Sequence, residues 1–279
     1  PAAAGDSDVV TPEQIAEFLT VRSIWDYCTE ELDPLHDPID IIRSAVQVNT
    51  TISNEGLSKE YGLAIGRNLE LNCRKGLMTR DLTTNAMVIA SAGADARMAG
   101  APVSVVANSG SGNQGIAATV PVAVYARQTG ASEERTRRAL VLSHLTAIYI
   151  KQNLGRLSAL CGCVVAATGS SCGIAYLMGG GYREVACAVQ NMIANLTGMI
   201  CDGAKPSCAL KVSSGVLTAV MSALLAVEGK CVTSAEGIID DDVDRSIRNL
   251  TAIGREGMAA TDRLVLDIMT HKKPADCGR

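Results

Sequence analysis

The sequence predicts a mainly α-helical fold: a compact bundle of buried helices rich in Gly, Ala and Ser, with little or no sheet. Two observations support this prediction. Strand signals are scarce, because aromatic residues make up only 3% of the 279 residues and Val and Ile recur at helical rather than alternating spacing. Hydrophobic residues make up 47% of the chain, which is enough material for a large core.

The helices can be placed in order from capping and breaking residues. Thr11, Pro12 and Gln14 are typical of an N-cap, a first-turn proline and a capping box, so a first helix is predicted from about Pro12 to Leu32. Gly and Pro divide the rest of the chain into ten further segments. These segments are 38–53, 58–76, 80–99, 113–129, 132–152, 155–178, 182–199, 207–228, 233–253 and 255–272. The small residues inside them lower helix propensity but allow helices to approach closely.

No internal repeat and no Pro/Ser-rich linker follows residue 36, so residues 36–279 are predicted to form one continuous helical domain. Residues 1–35 are expected to form an arm or helix that is loosely attached. The longest uncharged stretch, residues 157–181, is long enough to raise the question of a membrane span. Its many Ser, Thr, Gly and Cys residues make it weakly hydrophobic, which favours a buried core helix.

Charge excludes some classes of partner. The net charge is −4 and the basic residues are scattered, so neither a nucleic-acid surface nor a membrane surface is indicated. A small anionic or zwitterionic ligand fits better. The sequence starts at Pro1 without the features of a signal peptide, and its ten cysteines mostly lie in apolar segments, as free thiols do. A reducing, cytoplasmic location is therefore expected.

Cysteines mark a candidate metal centre. Cys201 and Cys208 flank Gly203 and Pro206, which disfavour an unbroken helix. The two residues also make the loop stiff enough to direct both thiols to one metal ion or cluster. Thiolates are soft ligands that select iron–sulfur clusters, zinc or Cu(I). The alternatives are two buried structural thiols or a zinc site, although no Cys-x-x-Cys pair or nearby His supports zinc. Spacing alone does not choose the third ligand among the upstream cysteines, which are Cys161, Cys163 and Cys172.

A second candidate site is the segment Asn108-Ser-Gly-Ser-Gly-Asn-Gln-Gly115, which leads into an apolar helix. Exposed backbone N–H groups, a helix N-terminus and polar side chains together suit a carboxylate or phosphate. The alternative is a flexible glycine-rich loop between helices. The candidate substrate-binding residues are Asn108, Ser109, Ser111, Gly112, Asn113 and Gln114.

Four further polar residues have two interpretations each. His144 lies in an apolar helical run, where a hydrogen-bonded core histidine is the default and a proton carrier is the functional interpretation. Lys211 follows Cys208 by three residues and is either a catalytic base or carboxylate ligand, or an ordinary surface lysine. Asp95 and Arg97 either pair with other groups in the fold, which is the favoured interpretation, or serve the site. The candidate catalytic residues are therefore His144 and Lys211.

Several motifs in one order resemble the C-terminal part of the L-cysteine desulfidase family, which is related to the iron–sulfur L-serine dehydratase alpha chain. The resemblance runs from about Ile41 to Met269. The motifs are Asn54-Glu-Gly-Leu57, Asp95-Ala-Arg-Met98, Asn108-Ser-Gly-Ser-Gly-Asn-Gln-Gly-Ile116, Leu142-Ser-His-Leu145, Arg156-Leu-Ser-Ala-Leu-Cys161, Met199-Ile-Cys-Asp-Gly-Ala204 and Thr261-Asp-Arg263.

The resemblance implies a cofactor and a reaction. In that family three cysteines hold a [4Fe–4S] cluster, and the pattern falls on Cys161, Cys201 and Cys208. The implied reaction is β-elimination without pyridoxal phosphate, in which the open iron binds the thiolate of L-cysteine or the hydroxyl of L-serine as a Lewis acid. Pyruvate and ammonia are the implied products, with sulfide from cysteine. A non-catalytic helical subunit and a structural metal-binding protein are the competing expectations.

The resemblance also implies a further N-terminal region, which carries another cysteine in a Gly-Cys-Thr-type motif. Residues 1–35 do not match that region, so it is expected to be a separate chain or domain, a part removed by cleavage, or absent altogether. A homodimer is the default assembly. Cys277 is near the C-terminus, where a serine dehydratase can use a tail cysteine as an iron ligand; a flexible exposed thiol is the favoured interpretation. The packing cysteines are expected to be Cys28, Cys73, Cys187 and Cys231.

Overall fold

The computed structural model describes residues 18–155 and 158–272. These residues form eleven α-helices and two π-helical turns, and their only β-pairings are two isolated bridges. The helices are α1 (Val21–Asp26), α2 (Asp40–Ser58), α3 (Ile65–Arg74), α4 (Leu82–Met98), α5 (Gly112–Thr129), α6 (Glu133–Leu154), α7 (Gly162–Leu177), α8 (Tyr182–Leu196), α9 (Cys208–Val227), α10 (Val243–Ala252) and α11 (Ala259–Thr270). The π-helical turns Tyr27–Glu31 and Ile253–Gly257 continue α1 and α10. The predicted mainly α-helical fold is confirmed.

Helix α7 lies at the centre of the bundle and packs against α5, α6, α8 and α9. Fourteen of its 16 residues are buried, which agrees with a core helix for this uncharged stretch. Val165 and Ile174 belong to a hydrophobic cluster with α6, α8 and α10, whereas Val164 and Ala167 belong to a second cluster with α2, α4, α5 and α9. Helix α7 therefore joins the two parts of the core.

Small residues allow the central helices to approach closely. A Cβ atom added at Gly169 of α7 would lie 2.2 Å from the backbone oxygen of Ser143 in α6. One turn later, a Cβ at Gly173 would lie 2.6 Å from the oxygen of Ala139. The two glycines are four residues apart and lie on the same face of α7, so the α6–α7 spacing depends on the absence of side chains there.

The described part of the N-terminal segment packs into the core. Val21, Ile24, Cys28 and Leu32 are each at most 2% exposed, and the backbone N–H of Val21 donates to Asp244 Oδ1 at 2.9 Å. This packing of residues 18–35 differs from the loosely attached arm that the sequence suggests, because the four side chains recur at helical spacing and form one apolar face. The predicted capping residues Thr11, Pro12 and Gln14 lie outside the described residues.

Helix boundaries follow the predicted segments to within a few residues, with three exceptions. The segment predicted from 58 begins as a helix only at Ile65. The segment predicted from 155 begins as a helix only at Gly162, since Leu160 pairs with Ile200 in a β-bridge. The segment predicted from 233 begins as a helix at Val243, where the Asp242 side chain accepts a hydrogen bond from the N–H of Asp244 and caps the first turn.

Within the described ranges, α9 is the one helix that is long and apolar enough to cross a membrane by length and composition. Core helices pass the same test, and 56% of its apolar window is buried inside the bundle. Its remaining face is apolar as well, with Leu210, Leu217, Met221 and Leu224 each more than 40% exposed.

Replacement of Gly169 by Ala tests the close α6–α7 contact. The new methyl group would meet the backbone oxygen of Ser143, so the helices would have to separate, and we expect the free energy of unfolding to fall by about 1–3 kcal/mol. Gly198→Ala is the matched control, because nothing lies within 4 Å of a Cβ at that position. Urea unfolding measures both variants, and equal stabilities would contradict the proposed contact.

Candidate functional site

A tight turn forms the start of the glycine-rich segment. The N–H of Asn108 donates to Ser111 O at 3.1 Å, and the N–H of Ser111 donates to Asn108 O at 3.0 Å. Ser109 and Gly110 between them both have positive φ, of 48° and 80°, as in a type I′ turn. The segment is therefore an ordered turn rather than a flexible loop, and it ends directly at the first residue of α5.

His144 holds this turn against α5. Asn108 Nδ2 lies 3.0 Å from His144 Nδ1, and His144 Nε2 lies 3.0 Å from Thr119 Oγ1. Because the amide of Asn108 can only donate there, Nδ1 accepts and the proton is on Nε2. Burial lowers the pKa of His144 to about 4, so the ring is neutral. Both ring nitrogens of His144 are therefore engaged, one by Asn108 and the other by Thr119.

Two amide side chains at the start of α5 carry buried oxygens that lack partners. Asn113 and Gln114 are 4% and 5% exposed, and no described residue donates to Asn113 Oδ1 or Gln114 Oε1. An unpartnered buried acceptor costs about 1–3 kcal/mol, which a ligand with donor groups would relieve. A Cβ at Gly162 would lie 2.7 Å from Gln114 Nε2, so Gln114 packs against Gly162, the residue that follows Cys161.

Cys161 and Cys201 lie on two short extended segments that pair with each other. Leu160 and Ile200 form an antiparallel bridge, Cys161 N–H donates to Met199 O at 3.0 Å, and Cys201 N–H donates to Ala159 O at 2.5 Å. Side chains alternate along an extended segment, so the neighbours of the bridged pair project to one face. The structure therefore brings these two candidate ligands together across a gap of 40 positions in the sequence.

The environment of Cys161 favours a thiolate. The thiol of Cys163 donates to its sulfur, and this bond, with help from the positive charge of Lys211, lowers the pKa of Cys161 to about 6 although burial opposes the shift. The same bond and burial raise the pKa of Cys163. Burial raises the pKa of Cys172 to about 12, and its thiol donates to Thr168 O at 3.4 Å. Of the three upstream cysteines, Cys161 is the best suited to bind a metal.

Cys208 is the first residue of α9, and its thiol donates to Gly203 O at 3.6 Å. Negative charges at Cys161, Cys208 and Cys201 add to the raised pKa of Cys163, so all three candidate ligands lie in its neighbourhood. Lys211 Nζ donates to Ile200 O at 2.8 Å and to Asp202 Oδ1 at 2.5 Å. Lys211 therefore ties the cysteine loop to α9, which is a positioning role.

Lys151 is a residue of this region that the sequence did not single out. It lines a cavity of about 770 Å³ beside the tight turn, together with Ser109, Gly110, Ile148, Gln152 and Gly155. Burial lowers the pKa of Lys151, and the negative charges of Cys201 and Cys161 oppose that shift. Lys151 thus connects the cavity at the turn with the cysteines, although it belongs to no local motif.

In the two described ranges, no three His, Cys, Asp or Glu side chains converge on a position for a single metal ion. A single zinc ion would draw its ligands to about 2.0–2.3 Å from one point. A four-iron cluster binds its thiolates at separate corners, so its ligands lie farther apart than the ligands of a single metal ion. Donor chemistry, with three thiols at one end of the bundle and one of them biased towards thiolate, fits such a cluster.

Asp95 and Arg97 lie beside the site and support it. Asp95 Oδ2 accepts from the N–H of Gly66 at 2.9 Å, so the carboxylate caps the start of α3. Burial raises the pKa of Asp95 to about 6, and the backbone hydrogen bonds from Gly66 and Ile65 partly oppose this. Arg97 packs against Gly112, where a Cβ would lie 2.4 Å from its Nε. This geometry agrees with the structural interpretation of both residues.

Comparison with known proteins decides the family. A family model described as the serine dehydratase alpha chain matches residues 7–267. The chain belongs to this family. This match confirms the expected relation to the serine dehydratase alpha chain. The tight turn and the three cysteines all lie within the matched region.

Relatives of high identity are UPF0597 proteins. The chain is 60% identical to one from Bacteroides fragilis over 91% of the chain and 59% of the relative. It is 53% identical to one from Porphyromonas gingivalis over 97% of the chain and 62% of the relative, and 48% identical to one from Oleidesulfovibrio alaskensis over 92% and 59%. The chain therefore spans about 60% of the length of these relatives. No solved structure matches it.

The His144→Gln variant tests the neutral, buried histidine. A pKa lowered from 6.5 to about 4 in the folded state means that His144 contributes stability above pH 6.5, and that this contribution is lost as the pH falls towards 4. Between pH 7 and pH 5, the free energy of unfolding of the wild-type protein should fall by about 2 kcal/mol because of this residue. The variant should not show this decrease.

Urea unfolding at the two pH values measures the effect. His36→Gln is the control, since the His36 side chain is 81% exposed and pairs only with Asp33 in the described structure. If wild type and His144→Gln changed equally between pH 7 and pH 5, the assignment of a neutral positioning histidine would be wrong.

Proposed function

We propose that this chain carries the cluster-binding site of a lyase that removes the β-substituent of a small amino acid without pyridoxal phosphate. The substrate is L-cysteine, which yields pyruvate, ammonia and sulfide, or L-serine, which yields pyruvate and ammonia. Membership of the serine dehydratase alpha chain family supports the reaction class. The two amino acids share the ammonium and carboxylate groups, so both fit the same binding groups.

One observation carries the proposal: the paired segments around Leu160 and Ile200 bring Cys161 and Cys201 together, and Cys208 lies near enough for its charge to act on Cys163. Two lysines, Lys151 and Lys211, place positive charge near these thiols. Positive charge stabilises thiolates, and thiolates are the form that binds iron. We therefore assign a [4Fe–4S] cluster to these three cysteines. When bound, such a cluster supplies a Lewis acid at the iron that no protein thiolate holds.

Residues around the turn suit the two charged ends of an amino acid. The first N–H groups of α5 have no intrahelical partners, and together with Lys151 they provide the positive field that a carboxylate requires. The unpartnered oxygens of Asn113 and Gln114 are acceptors, which suits an ammonium group. We infer that Asn113 and Gln114 accept from the substrate ammonium, while the turn and Lys151 bind the carboxylate.

His144 and Lys211 were expected to be catalytic, and we propose supporting roles for both. His144 fixes Asn108 and hence the turn, and Lys211 fixes Ile200 and Asp202 next to Cys201. Each acts through another residue on the geometry of the site. Misplacement of a substrate by about 1 Å is enough to cost a factor of 10² in rate, so positioning residues of this kind affect activity strongly.

We also propose that a partner completes the site. The relatives are longer than this chain, and the name of the family, an alpha chain, implies a companion chain. The partner is either a separate N-terminal chain or domain, a second copy of this chain, or both. Three unoxidised thiols are needed for iron binding, so the proposed location is a reducing compartment such as the cytoplasm.

Replacement of Cys201 by Ala tests the cluster assignment. After anaerobic reconstitution, wild-type protein should hold about four irons per chain, and Cys201→Ala should hold less than a quarter of that amount while its circular dichroism stays helical. Cys231→Ala is the matched control, because Cys231 is exposed and lies away from the turn and the three candidate ligands. Wild-type iron content in Cys201→Ala would refute the ligand assignment.

Asn113→Ala separates substrate binding from cluster binding. Asn113 is assigned to the substrate ammonium, so this variant should keep its iron and bind L-serine or L-cysteine at least tenfold more weakly, as measured by titration of the visible spectrum. The loss of a charge-assisted hydrogen bond accounts for this magnitude, since such bonds contribute about 1.5–3 kcal/mol. Loss of iron from Asn113→Ala would mean that the turn holds the cluster instead.

A further inference from the structure

Four arginines that are distant in the sequence meet at one cavity on another side of the bundle. Arg67 and Arg74 lie on α3, Arg80 lies just before α4, and Arg127 lies in the last turn of α5. The cavity has a volume of about 570 Å³, which is within the range of small-molecule sites. Residues 112 and 127 are separated by about 22 Å along α5, so this cavity is distinct from the tight turn.

A carboxylate holds two of the arginines in place. Glu70 Oε1 accepts from Arg74 Nε at 3.0 Å and from Arg80 Nη1 at 2.8 Å, and its side chain is only 14% exposed. A guanidinium has five N–H donors, so each arginine keeps most of its donors for another partner. Glu70 thus orients the guanidinium groups of Arg74 and Arg80, whose side chains are 72% and 58% exposed, before any ligand binds, and this orientation lowers the entropic cost of binding.

The other two arginines have no carboxylate partner. Neither Arg67 nor Arg127 forms an ion pair with any residue of the described ranges, whereas Arg74 and Arg80 do. Glu60 and Glu70 are the acidic residues that line the cavity, so the lining has an excess of two positive charges. This excess occurs in a chain whose net charge is −4, and it therefore does not reflect a generally basic surface.

A second cavity continues the first. Its volume is about 580 Å³, and it shares Asn54, Ile89 and Arg127 with the arginine cavity. Its other walls are mainly apolar and include Val46 and Ala123. An anionic ligand that is bound by the arginines therefore has an adjoining space for an uncharged part.

We propose that the arginine cavity binds a small organic anion with at least two negatively charged groups, either phosphates or carboxylates. The planar fork of arginine matches both groups through paired N–H donors. Four guanidiniums around one cavity exceed what a single carboxylate needs, which favours a multiply charged ligand over an amino acid. The site is separate from the proposed lyase site, and its test does not depend on iron.

Calorimetric titration of the purified chain with pyrophosphate and with citrate tests the proposal, with acetate as the singly charged comparison. We expect saturable binding of pyrophosphate, citrate or both at 0.15 M salt, with one ligand per chain, and at least tenfold weaker binding of acetate. The stronger of the two multivalent probes identifies phosphate or carboxylate as the preferred group.

Arg67→Gln combined with Arg127→Gln should weaken that binding at least tenfold, because these two arginines have no structural ion pair to lose. Arg67→Lys with Arg127→Lys keeps the charge but removes the planar forks, and intermediate affinity is expected. Arg263→Gln is the control for a change of net charge at an exposed position on α11, and it should bind within twofold of wild type.

Two results would overturn the proposal. One is that neither pyrophosphate nor citrate shows saturable binding to wild-type protein. The other is that the Arg67→Gln/Arg127→Gln variant, with wild-type thermal stability, binds them as tightly as wild type does.

Discussion

The close contact between α6 and α7 fixes the position of α7, and the candidate site is built at the N-terminal end of that helix. Gly169 and Gly173 leave no room for side chains against the backbone of α6. Cys161 directly precedes α7, Lys151 lies near the end of α6, and Gly162 contacts Gln114 of α5. The relative placement of thiols, lysine and amide groups therefore follows from how tightly these helices pack.

Charges and hydrogen bonds within the protein indicate which polar groups are already satisfied and which remain open to a ligand. Lys151 and Lys211 lie near sulfur atoms, and the thiol of Cys163 donates to Cys161. His144 is neutral, and its two ring nitrogens form hydrogen bonds with Asn108 and Thr119. The amide oxygens of Asn113 and Gln114 are two of the six buried side-chain atoms without a partner in the described residues, and such groups in native proteins call for an explanation.

Much of the fold could be predicted from local signals, because Gly, Pro and capping residues mark helix ends directly. The packing of the N-terminal segment against the bundle could not be predicted, because its apolar face of Val21, Ile24 and Cys28 is short and its packing partners are distant in the sequence. Spacing around Gly203 and Pro206 was enough to name Cys201 and Cys208, whereas only the family resemblance chose Cys161 as the third candidate ligand. Lys151 and the four clustered arginines had no local motif; only tertiary packing brings residues 67, 80 and 127 together. His144 was identified, but its role depends on partners in other elements.

The most direct test of the central claim is the visible spectrum of anaerobically purified wild-type protein, with iron and sulfide analysis, before and after L-serine or L-cysteine is added. The account predicts a brown protein with about four irons and four sulfides per chain. It also predicts that one L-amino acid changes the spectrum whereas D-serine does not. A chain that stays colourless after reconstitution would contradict the account and indicate a non-catalytic helical subunit.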